Sequence, residues 1–229
     1  FFGGAAGSAS SIFFQESNGT FEASPNQLPD AEKRYEDVNA LLFDADGDGD
    51  NDLYVTSGGS AFANGSDRYQ DRLYRNEGGK FVRATLPTMP TSTGPVRAVD
   101  YDADGDLDLV VGGRSVPGGY PRAPRSYLLQ NNGGKFSDVT ASAIPELANI
   151  GMVTSIAVGD IEGDNRPEIV VAGEWMALTI CTAGDNGYAR SGNSPTGTSG
   201  NWQSLLIVDL SGDGQNEIVA GQVNDEQAL

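Results

Sequence analysis

Four stretches of the chain place oxygen-bearing side chains at every second residue: Asp44 to Asp52, Asp100 to Asp108, Asp160 to Glu168 and Asp209 to Glu217. Numbered as nine positions, they carry Asp44, Asp46, Asp48 and Asp52; Asp100, Asp102, Asp104 and Asp108; Asp160, Glu162, Asp164 and Glu168; and Asp209, Ser211, Asp213 and Glu217 at positions 1, 3, 5 and 9. A hard divalent cation such as Ca²⁺ takes six to eight oxygens at short range, and a tight loop can wrap alternate side chains around it. Position 7 can add a backbone carbonyl, which explains how Asp50, Asp106, Arg166 and Gln215 all stand there. Four copies in register predict up to four Ca²⁺ ions.

The flanks separate these loops from an EF-hand, which needs a bidentate Glu at position 12 and a helix on either side. Position 12 is Val55, Val111, Val171 or Ala220. Short apolar, β-branched runs stand before and after each loop, such as Ala40-Leu41-Leu42-Phe43 and Leu53-Tyr54-Val55, and read as buried strands. The ion is thus expected in a strand-loop-strand turn.

A second unit alternates with the first. Ile12-Phe13-Phe14-Gln15 with Thr20-Phe21-Glu22-Ala23 matches Leu73-Tyr74-Arg75-Asn76 with Lys80-Phe81-Val82-Arg83 and Leu128-Leu129-Gln130-Asn131 with Lys135-Phe136-Ser137-Asp138. Each is a hairpin closed by an Asn/Gly-rich turn; a degenerate fourth copy runs from Leu178 to Tyr188. Loop starts are 56, 60 and 49 residues apart. Two strands around the ion and two in the hairpin make a four-stranded unit, the content of a β-propeller blade. The expected fold is all-β, with about four blades. Residues 1–11 read as a flexible segment and 12–229 as one propeller domain with units at about 38–84, 95–140, 152–190 and 203–221, the last closed by the hairpin at 12–24. The alternative is pairing of these terminal half-blades between chains, giving self-association or a filament. Helical turns are expected only at Asp30 to Asp37 and Pro145 to Ile150, and Asn193 to Asn201 reads as a linker.

Phe43 to Gly58, Val99 to Gly113, Gly159 to Gly173 and Val208 to Gly221 resemble the FG-GAP/VCBS repeat family. Gly112-Gly113-Arg114, Tyr120-Pro121-Arg122, Pro124-Arg125-Ser126 and Gly173-Glu174-Trp175-Met176 are similar to segments of bacterial VCBS-repeat proteins that travel with ASPIC/UnbV-type modules. The resemblance implies a calcium-binding β-propeller related to the integrin α-subunit head, in an extracellular or cell-surface setting. It departs from the family after Trp175, where the fourth hairpin is irregular. An extracellular scaffold, adhesion or self-assembly module is therefore expected; a glycan-binding propeller, or a piece of a larger propeller accessory to an enzyme, is the alternative.

Composition narrows the partners. A net charge of -18 argues against nucleic acid and anionic membranes, and no apolar run reaches the length of a membrane span. Seventeen of the 32 acidic residues lie in the four loops, so the charge is concentrated where a cation would neutralise it. There is no histidine, which removes Ser-His and Cys-His nucleophile pairs, and the clustered acids are accounted for as ligands; no catalytic residue is expected. The single cysteine, Cys181, reads as a buried thiol. Asn18-Gly19-Thr20 and Asn64-Gly65-Ser66 fit the glycan acceptor pattern. Three arginines and Tyr120 between Arg114 and Ser126 are candidate contacts to a sugar or an acidic protein. Trp175 and Trp202 read as packing residues between blades.

Overall fold

The computed structural model describes residues 1–184, 187–191 and 199–223. Its strands are β1 (Phe13–Gln15), β2 (Phe21–Ala23), β3 (Asp37–Phe43), β4 (Asp52–Ser57), β5 (Arg72–Asn76), β6 (Phe81–Ala84), β7 (Ser92–Val99), β8 (Asp108–Ser115), β9 (Tyr127–Gln130), β10 (Ser137–Asp138), β11 (Met152–Gly159), β12 (Glu168–Met176), β13 (Thr179–Gly184), β14 (Gly187–Arg190), β15 (Gly200–Val208) and β16 (Glu217–Gln222). The fold is all-β, with one four-residue helix, α1 (Thr140–Ala143). Short 3-10 turns at Asp30–Arg34 and Pro145–Asn149 stand where helical turns were expected.

Three antiparallel four-stranded units follow one another: β3-β4-β5-β6, β7-β8-β9-β10 and β11-β12-β13-β14. The second strand of each is paired on both edges, and β4 and the first six residues of β8 and β12 are buried, which is why they read as unbroken apolar runs. The fourth unit is the pair β15-β16, joined to the third sheet by Glu174↔Asn201 and Met176↔Gly200. Gly200 and Asn201 thus belong to a strand rather than to the expected linker, whose residues 193–198 lie outside the described residues, as do residues 185–186 of the expected fourth hairpin.

One grouping repeats along the chain. Leu73, in the outer hairpin of the first unit, shares a core cluster with Leu109 and Val111 of the second. Leu128 shares one with Ile169 and Val171 of the third. Ile12 shares one with Leu53 and Val55 of the first. The hairpin β1-β2 therefore stands to the first unit as each outer hairpin stands to the unit after it.

The expected pairing of that hairpin with the last unit is not made among the described residues. The β1-β2 pair is a sheet of its own, and β16 ends its sheet. Each is engaged locally instead. Just before β1, Ser11 is bridged to Phe2 through N–H···O bonds of 2.8 and 2.9 Å. At the other end, β15 is held to β11, where Thr154 donates to the Trp202 carbonyl at 2.7 Å and the Leu205 N–H donates to Ser155 Oγ at 3.1 Å.

The opening segment is anchored rather than free. The Asp37 carboxylate accepts from the Gly4 N–H at 2.9 Å, from the Ser10 hydroxyl and from the buried guanidinium of Arg72. Arg72 also lies 3.7 Å from the Glu32 carboxylate and over the Tyr35 ring, 4.3 Å from its centroid, so two carboxylates and an aromatic face offset the charge of a buried cation whose Nε and Nη1 make no hydrogen bond.

Candidate metal sites

Each acidic loop joins the first two strands of a unit, and position 9 is the first residue of the second strand: Asp52, Asp108, Glu168 and Glu217. The loops share one hydrogen-bond scheme. Position 1 accepts from the backbone N–H of position 6, as Gly49 donates to Asp44 at 3.0 Å, Gly105 to Asp100 at 3.1 Å, Asn165 to Asp160 at 2.8 Å and Gly214 to Asp209 at 2.9 Å. Position 5 accepts from position 7, and position 9 accepts from position 2. These bonds hold positions 1, 5 and 9 to the loop backbone in the same way in all four loops. They also require positive φ at positions 4 and 6, and Ala103 (59°) and Asn165 (64°) adopt it where the other loops use glycine.

Three loops draw ligand atoms together. Carboxylate oxygens lie within 4.8 Å of one another in Asp44, Asp46 and Asp48; in Asp100, Asp102 and Asp108; and in Asp209, Asp213 and Glu217. The third loop forms no such group among the described residues. There Glu162 replaces the shorter aspartate at position 3, and position 7 is Arg166, whose guanidinium donates to the Gly184 carbonyl at 3.2 Å. Ser211 falls outside the fourth loop's group because it has no carboxylate. At position 7, the Asp106 side chain accepts from the Gly133 N–H at 2.8 Å.

Position 9 works as a clasp as much as a ligand. The second oxygens of Asp52 and Asp108 accept from Asn76 and Asn131 at the ends of β5 and β9, at 2.8 and 2.7 Å. Burial pushes Asp108 up to about 7 against these hydrogen bonds, with Asp102 and Asp104 adding to the rise. Burial raises Asp52 and Glu168 as well. In the first loop, desolvation and then the charges of Asp48, Asp46 and Asp44 raise Asp50. Asp46 Oδ1 and Asp50 Oδ1 are shielded from solvent and have no hydrogen-bond partner.

Residues that are not candidate ligands also hold the loops. The Asn131 amide donates to the carbonyls of Ala45 and Leu107, at 2.8 and 3.1 Å, and the Asn216 amide donates to the Asp160 carbonyl at 2.7 Å. The sequence signal for Asn131 is the Asn that opens the hairpin turn in both the first and second units, as Asn76 and Asn131; nothing marks Asn216 beyond its place at position 8.

The model of the FG-GAP-like repeat matches residues 44–111, from the first acidic loop to the second strand of the next unit. The chain carries an FG-GAP-like repeat. That repeat takes in two of the three loops with converging carboxylates and the hairpin between them. No curated protein matches the chain.

The tryptophans depart from expectation. Trp175 is 56% exposed and Trp202 is half-buried, so the former is no packing residue between units. Its backbone adopts φ 58° at the register shift between Glu174 and Met176, near the end of β12. Cys181 is buried in the core, and burial pushes its thiol up to about 12, consistent with a packing role.

Proposed function

We propose that this chain is a calcium-binding scaffold or adhesion module of β-propeller type, working outside the cell and without a catalytic role of its own. The observation that carries the reading is the shielded, unpartnered Oδ1 of Asp46 among the converging carboxylates of Asp44, Asp46 and Asp48. Buried acceptors without donors are costly, and a cation satisfies them. Bound Ca²⁺ would supply the positive charge that these oxygens coordinate. Asp44, Asp46 and Asp48 would hold it in the first loop with the position-7 carbonyl, Asp100, Asp102 and Asp108 in the second, and Asp209, Asp213 and Glu217 in the fourth; Asp160, Glu162, Asp164 and Glu168 form the weakest site. The test is a thermal melt with Ca²⁺ and with a chelator. A rise in midpoint with Ca²⁺, smaller in Asp48→Ala, is expected; coincident melts would remove the reading.

Self-association is the partner reading the edges favour. Val219 is 42% exposed, whereas its counterparts Tyr54, Val110 and Val170 are fully covered. The β1-β2 hairpin is the outer half of a unit and β15-β16 the inner half. Pairing of one with the other in a second copy would cover both and extend head to tail. Sedimentation at rising concentration tests it: assembly lost on deleting residues 1–24 supports it, and a monomer throughout sinks it.

A further inference from the structure

Two segments far apart in sequence meet on the surface at the C-terminal ends of β8 and β12. Arg114 pairs with Glu174, and the indole N–H of Trp175 donates to the Tyr120 hydroxyl at 2.6 Å. Both rings lie open, Tyr120 at 65% and Trp175 at 56% exposure. The Arg122 guanidinium stands over Gly119, next to Tyr120, and makes no ion pair among the described residues.

The backbone at Trp175 is the informative feature. Counting from the position-9 acids, which begin the second strands, Trp175 corresponds to Gly59 of the first unit. Both adopt the left-handed conformation, Gly59 at φ 78° and Trp175 at φ 58°. At Gly59 it is free of steric cost; at Trp175 a bulky side chain is held in a strained backbone with its ring in water. Neither choice helps folding, and strain retained without a packing return points to function. The hydrogen bond to Tyr120 and the Arg114–Glu174 pair hold the indole in one orientation.

We infer that Trp175 and Tyr120 form a carbohydrate-binding platform, on which the apolar face of a pyranose ring stacks against the indole while Arg122 donates to the sugar oxygens. Flat, fixed aromatic rings with adjacent N–H donors suit a ring that is apolar on its face and polar at its rim. The inference goes beyond the calcium reading and does not depend on it, because none of these residues lies in an acidic loop.

Fluorescence gives a direct test, since the chain has two tryptophans. In a Trp202→Phe background Trp175 is the sole reporter. The calcium-loaded chain is titrated with neutral polysaccharides (dextran, xylan) and with uronate polymers (alginate, polygalacturonate). A saturable change with at least one polymer is expected, with binding weakened at least tenfold by Tyr120→Ala. Trp175→Gly, followed by affinity electrophoresis, should abolish retention while the protein melts at the same temperature or higher, because glycine relieves the strain. Binding to both arms assigns the site to the pyranose ring, and binding to the uronates alone assigns Arg122 to a carboxylate. No response from any polymer, or undiminished retention of a folded Trp175→Gly variant, would overturn the inference.

Discussion

The side-chain amide of Asn131 donates to the backbone carbonyl of Ala45 at 2.8 Å, so the outer hairpin of the second unit grips the acidic loop of the first. The same side chain donates to Leu107 at 3.1 Å and accepts from the Gly134 N–H at 2.9 Å. One buried amide thereby positions the loops of two neighbouring units.

Replacing it should be felt in both. Asn131→Ala leaves the Ala45 carbonyl and the Gly134 N–H without this partner, at a cost of about 2–4 kcal/mol. Urea denaturation measures the loss, and calcium titration should show the first two loops weakened while the fourth is unchanged. A loss confined to one loop would contradict the bridging role.

Asp71 sets a pH dependence separate from the metal loops. It is buried between the first and second units and accepts from Tyr54, from the Ser57 N–H and from Thr93. Burial outweighs these donors and raises its carboxyl from 3.8 to about 7. Because the folded value lies above the unfolded one, its contribution to stability is complete below about pH 4 and declines as pH rises to about 7. Asp71→Asn should flatten that decline by up to a few kcal/mol. Parallel slopes of stability against pH, for wild type and variant from pH 4 to 7, would contradict it.

Loop backbone strain is testable with a reciprocal pair. Ala103 occupies with φ 59° the position that Gly47 occupies with φ 78°, and a Cβ added at Gly47 meets nothing within 4 Å. Ala103→Gly should stabilise by about 1 kcal/mol and Gly47→Ala destabilise by about as much. Chemical denaturation in Ca²⁺ reads both; shifts of the same sign would show that the backbone does not govern these positions.

Much of this architecture is legible in the residues because the signals are local. Strand runs flank each loop, and the Asn/Gly turns mark the hairpins that join β5 to β6 and β9 to β10. The loop register is legible for the same reason: alternate acids with residues of positive φ between them. What escapes is what depends on distant partners. The anchoring of residues 1–11 requires Asp37 and the buried Arg72, and nothing near Gly4 signals them. Trp175 follows an apolar run and so reads as buried, but it stands exposed at a register shift near the end of β12. The third loop has the right spacing, yet with Glu162 at position 3 its carboxylates form no converging group among the described residues, and the spacing alone does not signal this.

The most direct measurement is calorimetric titration of the chelator-treated chain with Ca²⁺, at near-neutral pH and fixed ionic strength. The account predicts at least three binding events, with affinities of about 0.1–1 mM as suits an extracellular module. At tenfold excess over such an affinity, each site adds about 1.4 kcal/mol to stability, so three add about 4 kcal/mol. Asp48→Ala, Asp102→Ala and Asp213→Ala should each remove one event, and Glu162→Ala the least heat. A titration with no heat above dilution, on a chain whose melt is unmoved by Ca²⁺, would contradict the account.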